Sequence, residues 1–348
     1  MKFKKLSCLA AMAVMTLLVG CSNTDKSTTE KKEATTEETK QDSKVTYPIT
    51  VKHAFGETVI EKEPERVATI SWGNQDVPLA LGVEPVGVSR ANYGVTGEQR
   101  LLPWTEAKAK ELGIEKVNTF DDIDGLDLEA ISDSNPDVIL AAYSGITKEE
   151  YESLSEIAPV IAYPNAAWQT YWREQITYDA TGMGKAPEGE ALIKELEDLI
   201  AKKKADYTQL EGKTGVFCYF NPADLGKFYI YLPTDPRAAY LTDLGLAFPE
   251  SVQKLAKDNT SFTVELSSEN LDVLKDVDVI VAYGNDDLLK ALQKDKLLGT
   301  VDAVKNGAVA LIEDGSSLSA SCTPSALSIP ATIDEYLSVL GEAANKVK

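Results

Sequence analysis

Arginine side chains are the first candidates for chemistry in this chain, because a guanidinium group binds carboxylate-like oxygens through two parallel hydrogen bonds. The chain has only five arginines beside thirty lysines. Arg90 follows an apolar stretch that ends at Ser89, and Arg237 follows a tyrosine-rich stretch over 228–231. One arginine thus comes from each half of the chain near a predicted strand end, where α/β proteins form ligand clefts. We expect both to bind a ligand; a surface ion pair is the alternative for each.

Five aromatic residues could form the walls of the same site. Each lies at or just after the end of a predicted strand, in the loop beyond it, or between the two halves of the chain. Tyrosine outnumbers phenylalanine fourteen to eight, which suits amphipathic walls whose hydroxyl groups need partners. Packing inside the core is the alternative for each. The five candidates are Trp72, Tyr93, Tyr143, Trp168 and Tyr231.

Several enzyme and metal sites are excluded by residue type. His53 is the sole histidine, which rules out a site of several imidazoles and a two-histidine zinc protease. A Gly-x-Ser-x-Gly nucleophile elbow is absent from the sequence, and one histidine makes a serine triad implausible. We predict no catalytic residue, no metal site and no cofactor. Cys218 and Cys322 form either a disulfide or two buried thiols.

The first half of the folded chain is predicted to alternate strands and helices. Residues 51–61 alternate around Gly56 and are typical of a β-hairpin. We place His53 on the exposed surface of this hairpin. The apolar runs that follow indicate a parallel sheet covered on both faces. The predicted strands are 66–71, 85–89, 138–142 and 160–163, and the predicted helices are 76–81, 128–134 and 148–157.

The second half repeats this pattern. The segment LDLEAISDSNPDVILAAY (126–143) matches VELSSENLDVLKDVDVIVAY (264–283), and both end in Ala-Tyr. Because the match has a comparable place in each half, we predict an α/β protein of two Rossmann-like lobes. The predicted strands are 214–220, 228–232, 277–282 and 308–312, and the predicted helices are 235–244, 269–274, 287–293 and 333–345.

A helix is predicted between the lobes. Trp168, Trp172 and Ile176 recur at helical spacing. Besides a helix over 187–207, we predict one helix over 166–185, of which about 18 residues would span about 27 Å. It would join an N-terminal lobe over 47–165 to a C-terminal lobe over 186–348 and permit only small motion between them. The alternative places this helix inside one continuous domain.

The N-terminus resembles a bacterial export signal. Three lysines precede an apolar run over 6–19 that is too short to span a bilayer, and Leu-Val-Gly then precedes Cys21. This ending resembles the lipobox of bacterial lipoproteins, which implies removal of residues 1–20 and lipidation of Cys21. Residues 22–44 contain a single apolar residue, so we predict a disordered tether over 21–46. We expect a lipid anchor on the outer face of a cell membrane, of Gram-positive type.

The net charge of the chain limits the kinds of partner that it can bind. Without the three lysines of the signal, 32 basic residues face 55 acidic residues, a net charge of −23. Such a surface argues against binding to nucleic acid. It does not argue against binding of a small ligand, because the charge of a pocket can differ from that of the whole molecule.

Together these features resemble the class III, or helical-backbone, substrate-binding lipoproteins of ABC importers, chiefly the iron–siderophore binders. The resemblance rests on ITVKHAFGETVIEKEPERVATISWGNQDVPLALGVEPVGVS, LDLEAISDSNPDVILA, the tryptophan-bearing connecting helix and ENLDVLKDVDVIVA, and it covers nearly everything from Tyr47 onward. It implies capture of a ferric siderophore in a cleft between the lobes and delivery to a permease dimer, without catalysis. It also implies one permease-docking glutamate per lobe. By motif these are Glu129 (LDLEAI) and Glu269 (SSENLDVL), each expected to begin a helix.

Other ligands and functions stay open at this point. Within the family, the alternatives are a corrinoid or haem, although His53 in the hairpin and Met183 in the connecting helix are poorly placed as haem ligands. Outside it, the alternatives are a surface hydrolase such as a glycosidase, and a passive adhesin. The small number of arginines favours a hydroxamate complex of low charge over a catecholate or citrate-type complex.

Overall fold

The computed structural model describes residues 45–95, 98, 100–122, 124–257 and 260–348. The predicted signal over 1–20, the lipidation site Cys21 and the predicted tether up to residue 44 lie outside the described residues. The described part is a mixed α/β structure, as predicted, with two sheets of five strands each, one strand more than the sequence predicted for each half. None of its helices combines the length and the apolar character needed to cross a membrane.

The entry hairpin forms as predicted, with β1 over Ile49–His53 paired antiparallel to β2 over Gly56–Ile60. The exposed position predicted for His53 is wrong, because the hairpin packs against the N-terminal sheet. The Ala54 amide donates to the Tyr163 carbonyl at 3.0 Å. His53 is buried, and its Nε2 lies 2.9 Å from the Thr58 hydroxyl, which donates to the Val160 carbonyl. Burial lowers the pKa of His53.

The N-terminal sheet is entirely parallel and has the order β5-β4-β3-β6-β7. The chain runs outward in one direction from β3 and then returns to start the other direction at β6. The carboxyl ends of β3 and β6 therefore form a topological switch point, where open α/β sheets hold ligands. The strands are β3 Val67–Thr69, β4 Gly87–Ser89, β5 Thr119–Phe120, β6 Val138–Ala141 and β7 Val160–Ala162.

Helices cover both faces of this sheet. The Asp127 side chain caps α3 by accepting from the Ala130 amide at 3.0 Å, and Thr147 and Glu150 form a reciprocal capping box on α4. The sequence prediction missed α2 and β5, which lie between the predicted strand over 85–89 and the predicted helix over 128–134. The helices are α1 Asp76–Ala80, α2 Pro103–Glu111, α3 Leu128–Asp133 and α4 Lys148–Ser155.

The continuous helix predicted over 166–185 is wrong in its extent. The helical part is α5 over Trp172–Gly182, and a second helix, α6, covers Ala186–Lys204. Gly184 has φ +70°, which ends α5, and a proline in the first turn of α6 starts the new helix. Helix α5 packs on β1, β6, β7 and α1, whereas α6 packs on α5 and on the C-terminal helix. The 19 residues of α6 span about 28 Å.

The C-terminal sheet is mixed rather than parallel, which corrects the expectation of a repeated parallel sheet. Its order is β10-β9-β8-β11-β12, and only β8, β11 and β12 are parallel. Two residues join β8 to β9, and a connection this short permits only an antiparallel pair. The strands are β8 Gly215–Asn221, β9 Asp224–Tyr231, β10 Thr263–Ser267, β11 Val279–Tyr283 and β12 Val309–Ile312.

The helices of the C-terminal lobe follow the predicted pattern in part, and the sequence prediction missed short helices over Glu250–Gln253 and Asp302–Asn306. The helix predicted over 269–274 is a 3₁₀ turn over Leu271–Leu274, and the serine-rich segment after β12 contains a helix. Cys218 and Cys322 are free, buried thiols, which settles the alternative left open, and burial raises the pKa of both. The helices are α7 Pro236–Asp243, α8 Glu250–Gln253, α9 Asp286–Lys294, α10 Asp302–Asn306, α11 Ser317–Ser321 and α12 Ser328–Ala344.

Candidate functional site

A cavity of about 600 Å³ lies between the two lobes, at the switch point between β3 and β6. Its walls combine aromatic rings, hydroxyl groups and a few charged side chains, which is the usual composition of a small-molecule site. The described residues that line it are Ser71, Trp72, Ser89, Arg90, Asn92, Tyr93, Asp122, Gly125, Leu126, Tyr143, Gly145, Ile146, Glu150, Trp168, Arg237, Phe262, Tyr283, Ser319, Ala320 and Thr323.

The structure brings most of the predicted ligand-binding residues together in this cavity. Tyr231 differs: it is half-buried beneath the Arg237 guanidinium group, outside the lining. Whether the lining residues bind a ligand stays a prediction. The predicted residues that line the cavity are Trp72, Arg90, Tyr93, Tyr143, Trp168 and Arg237.

The buried amide of Asn74 holds the floor of the cavity together. Its Nδ2 donates to the carbonyls of Ile70, at 2.7 Å, and of Tyr143, at 3.0 Å, and its Oδ1 accepts from the Tyr143 amide at 3.0 Å. Gln175 on α5 donates from Nε2 to this Oδ1 and to the Trp72 carbonyl. These bonds fix the segments after β3 and β6, and so place Trp72 and Tyr143 on the same wall.

Two aromatic residues form one wall of the cavity. The rings of Tyr143 and Trp168 meet edge to face with centroids 5.4 Å apart. A Cβ atom at Gly145 would lie 2.2 Å from the Trp168 ring nitrogen, so only glycine lets the indole approach. Trp168 is 38% exposed, which is unusual for so large an apolar side chain. An apolar ligand surface can therefore stack on it.

Arg237 enters the cavity from the C-terminal lobe and is held rigidly. Its guanidinium group makes two bonds to the buried Asp235 carboxylate, at 2.9 and 2.8 Å, and stacks 4.2 Å from the Tyr231 ring. Burial acts to lower the pKa of Arg237, but the charge and hydrogen bonds of Asp235 outweigh it and raise the pKa. Arg237 is therefore a fixed cation in the lining of the cavity.

The N-terminal rim of the cavity carries both signs of charge. Arg90 donates from Nη1 to Asp121 at 2.7 Å and from Nε to Thr119 at 3.2 Å. The next carboxylate, Asp122, accepts from the Ser89 hydroxyl. Burial, with smaller contributions from nearby acids, raises the pKa of Asp122 despite that bond.

Tyr93 connects the two rims of the cavity. Its hydroxyl donates to Asp314 Oδ1 at 2.5 Å and accepts from the Gly315 amide at 3.0 Å. Its ring lies edge to face with Tyr283, at 6.4 Å between centroids. Tyr93 belongs to the loop after β4, whereas its partners follow β12 or end β11, so this contact joins the lobes.

Several lining residues were missed by the sequence prediction, and some carried a usable signal. Ser71 and Ser89 end the first two predicted core strands, immediately before Trp72 and Arg90. Tyr283 ends the second copy of the internal match, at the position of Tyr143. The acids Asp122 and Glu150 carried no distinguishing signal, because acidic residues are abundant in this chain.

The two predicted docking glutamates lie outside the cavity and are exposed. Glu129 occupies the first turn of α3, as predicted. Glu269 does not begin a helix: it lies in the turn after β10, where its amide donates to the Ser267 hydroxyl at 3.3 Å. Of these two glutamates, only Glu129 is therefore placed where a helix dipole stabilises its carboxylate. Across the part of the chain that the structure describes, no cluster of three potential metal ligands occurs.

Comparison with known proteins identifies the family. The periplasmic binding protein model matches residues 67–314. The crystal structure of Streptococcus pneumoniae PiaA in complex with ferrichrome is 54% identical, with a TM-score of 0.83 over 86% of this chain and 100% of that one. Staphylococcus aureus SirA complexed with staphyloferrin B is 25% identical, with a TM-score of 0.65 over 84% and 98% of the chains. The probable siderophore-binding lipoprotein YfiY of Bacillus subtilis is 26% identical over 238 residues, 67% of each chain. The chain belongs to the periplasmic binding protein family, which confirms the resemblance.

Proposed function

We propose that this protein captures an iron(III)–siderophore complex in the interlobe cavity and delivers it to the permease of an ABC importer. The observation that carries the proposal is the cavity itself, an aromatic-walled site with one arginine from each lobe. The similarity to PiaA, solved with ferrichrome, supports a siderophore as the ligand. The chain acts by binding and has no catalytic role in this proposal.

A hydroxamate complex of the ferrichrome type fits these walls best. Ferrichrome is an uncharged trihydroxamate with a broad organic shell, and such a shell can stack on Trp168 and Tyr143. Hydroxyl groups of Ser71 and Thr323 line the cavity and can bond to its polar edge. Haem is a poorer candidate, because His53 is hydrogen-bonded in the entry hairpin and Met183 is buried at the end of α5.

The arrangement of the whole chain follows from this role. We propose a signal over 1–20, a lipid anchor at Cys21 and a tether over 21–46 that holds the protein at the outer face of the membrane of a Gram-positive cell. The lobes then comprise 47–165 and 186–348, joined through 166–185. Helix α6 contacts both α5 and α12, which supports a helical connection between the two lobes.

The exposed carboxylates of Glu129 and Glu269 are proposed to dock the permease dimer. One comes from each lobe, and neither makes an ion pair among those formed by the described residues. Both are therefore available to arginines of a partner.

Titration of tryptophan fluorescence tests the ligand assignment. The tether-free protein is titrated with ferric hydroxamates, catecholates and carboxylates, with a corrinoid and with haem. We expect saturable quenching by ferrichrome, because Trp72 and Trp168 line the cavity. Trp168→Phe, as a control, should reduce the quenching amplitude. Failure of every compound to bind would refute the proposed function.

A further inference from the structure

Four charged side chains line the cavity, and their pairing is unequal. Arg90 and Arg237 are each bonded to a carboxylate of their own, Asp121 and Asp235. The two acids of the lining, Asp122 and Glu150, have only neutral partners: the Ser89 hydroxyl bonds to the former, and the Thr147 amide donates to the latter at 2.7 Å. The ion pairs within the described ranges include neither acid.

The cavity therefore has an excess of negative charge, although it displays two arginines. The two guanidinium groups are already neutralised by Asp121 and Asp235. The carboxylates of Asp122 and Glu150 therefore leave a formal charge of two negative. Lysine is not among the described lining residues that could offset it. Burial raises the pKa of Asp122, and the neighbouring acids Asp121 and Asp127 add smaller contributions, so further negative charge beside this carboxylate is unfavourable.

We infer that Asp122 and Glu150 are specificity-determining residues that select uncharged and cationic hydroxamate siderophores and reject anionic ones. This inference rests on the proposed function. Charges inside a partly closed cavity interact more strongly than charges on an open surface, because less water screens them. A ligand with a pendant ammonium group gains from these carboxylates, and one with a pendant carboxylate loses.

A series of ligands with one chelate and different charges tests the inference without changing the ligand's iron-binding part. Ferrioxamine B carries a pendant ammonium group, its N-acetyl derivative is neutral and its N-succinyl derivative is anionic. For the wild-type protein we expect affinity to fall by about fivefold for each step toward negative charge, the order of a screened charge pair. High salt should reduce the differences in affinity between the three ligands.

Isosteric substitutions remove the charges and keep the shape. In Asp122→Asn and Glu150→Gln the anionic derivative should each time gain about twofold relative to the neutral one, and in the double variant about fivefold, which cancels the wild-type penalty. Glutamine also preserves the capping box on α4, so this variant tests the inference if Asp122→Asn folds poorly. Asp133→Asn, which removes an exposed charge on α3 outside the lining, should leave the series unchanged.

The outcomes separate the two proposals. If no compound of the fluorescence panel binds, ferrichrome and this series included, the proposed function is wrong. If a catecholate or carboxylate complex binds and the hydroxamates do not, only the selection inference is refuted. If ferrichrome binds but the wild-type series shows no charge order, or the two isosteric variants leave that order intact, only the selection by Asp122 and Glu150 is refuted. An equal effect from Asp133→Asn would also refute it, because overall charge would then explain the order.

Discussion

The Tyr93 hydroxyl of the N-terminal lobe lies 2.5 Å from the Asp314 carboxylate of the C-terminal lobe, and this bridge joins the two lobes. The bond is charge-assisted, and the Gly315 amide donates to the same hydroxyl. Tyr93 also lines the cavity, so the bridge connects a lining residue to the opposite lobe. It therefore provides a direct test of how interlobe contacts control release.

Tyr93→Phe should accelerate ligand release. Loss of one charge-assisted hydrogen bond removes about 1 kcal/mol, so we expect the dissociation rate of ferrichrome to rise about fivefold. Stopped-flow fluorescence with a competing iron chelator measures that rate. Tyr219→Phe, on the exposed side of β8, is the matched control. An unchanged rate in Tyr93→Phe would show that the bridge does not limit release.

Asp235→Asn should destabilise the protein far more than Asp121→Asn. The Asp235 carboxylate is buried and pairs with Arg237, whereas the Arg90–Asp121 pair is exposed. We expect a loss of about 3 kcal/mol in the free energy of unfolding for the first and less than about 1 kcal/mol for the second. Asparagine caps a helix about as well as aspartate, so the loss reports the ion pair. Urea denaturation measures both, and equal losses would contradict the argument.

Asn74→Ala should weaken both the fold and the ligand site. The substitution leaves buried backbone groups of Ile70 and Tyr143 without partners, at a cost of about 3 kcal/mol. Ferrichrome affinity should fall at least severalfold, because Trp72 and Tyr143 lose their common support. Asn118→Ala removes one exposed bond to the Val86 carbonyl and serves as the control. Wild-type stability in Asn74→Ala would exclude the supporting role.

Asp76 should make stability depend on pH between about 4 and 6. This carboxylate is fully buried and accepts from Trp104, Thr105 and Ser325. Burial raises its pKa from 3.8 to about 6, although these bonds oppose the shift. Between the two pKa values the folded state holds a proton that the unfolded state has lost. Stability from this group is therefore present at the acidic end and is lost as pH rises through 6.

The comparison with Asp76→Asn isolates this group from other acids, including the buried Asp179, whose pKa burial also raises. The difference in unfolding free energy between wild type and variant should change by up to about 3 kcal/mol between pH 4 and pH 7. Urea denaturation at several pH values measures it. A difference that stays constant across this range would contradict the raised pKa.

Reversal of charge at Glu129 and Glu269 should separate binding from transport. Both side chains are exposed and lie outside the cavity, so the double variant Glu129→Arg, Glu269→Arg should bind ferrichrome with wild-type affinity. Uptake of ⁵⁵Fe-ferrichrome by cells should collapse, because the arginines would repel those of the permease. Glu211→Arg with Glu342→Arg, at other exposed positions, controls for overall charge. Normal uptake by the docking variant would refute the docking role.

Local patterns in the sequence were enough to predict much of the site. Buried strands read as apolar runs, and in a parallel sheet the residues after them meet at one edge. This rule placed Trp72, Arg90 and Tyr143 correctly along the cavity. The break between α5 and α6 was also readable, since Gly184 and Pro187 are ordinary stop and start residues.

Other features depended on contacts between distant segments. Tyr231 and Tyr283 both end strands, yet only Tyr283 lines the cavity, because the packing of Arg237 over Tyr231 occupies that ring. His53 is buried because the hairpin returns to β7, 107 residues further along the chain at Val160. The charges of Asp122 and Glu150 remain unpaired because Arg90 and Arg237 already pair with other carboxylates, and no local sequence pattern predicts this.

The sequence by itself determined the class of fold, the number of lobes and the strand ends at which a ligand site could form, because these follow from periodicity and turn residues within short segments. The tertiary structure alone decided which side chains face the cavity and which charges in it remain unpaired. Those properties arise from hydrogen bonds such as Tyr93 to Asp314, which join residues more than two hundred positions apart.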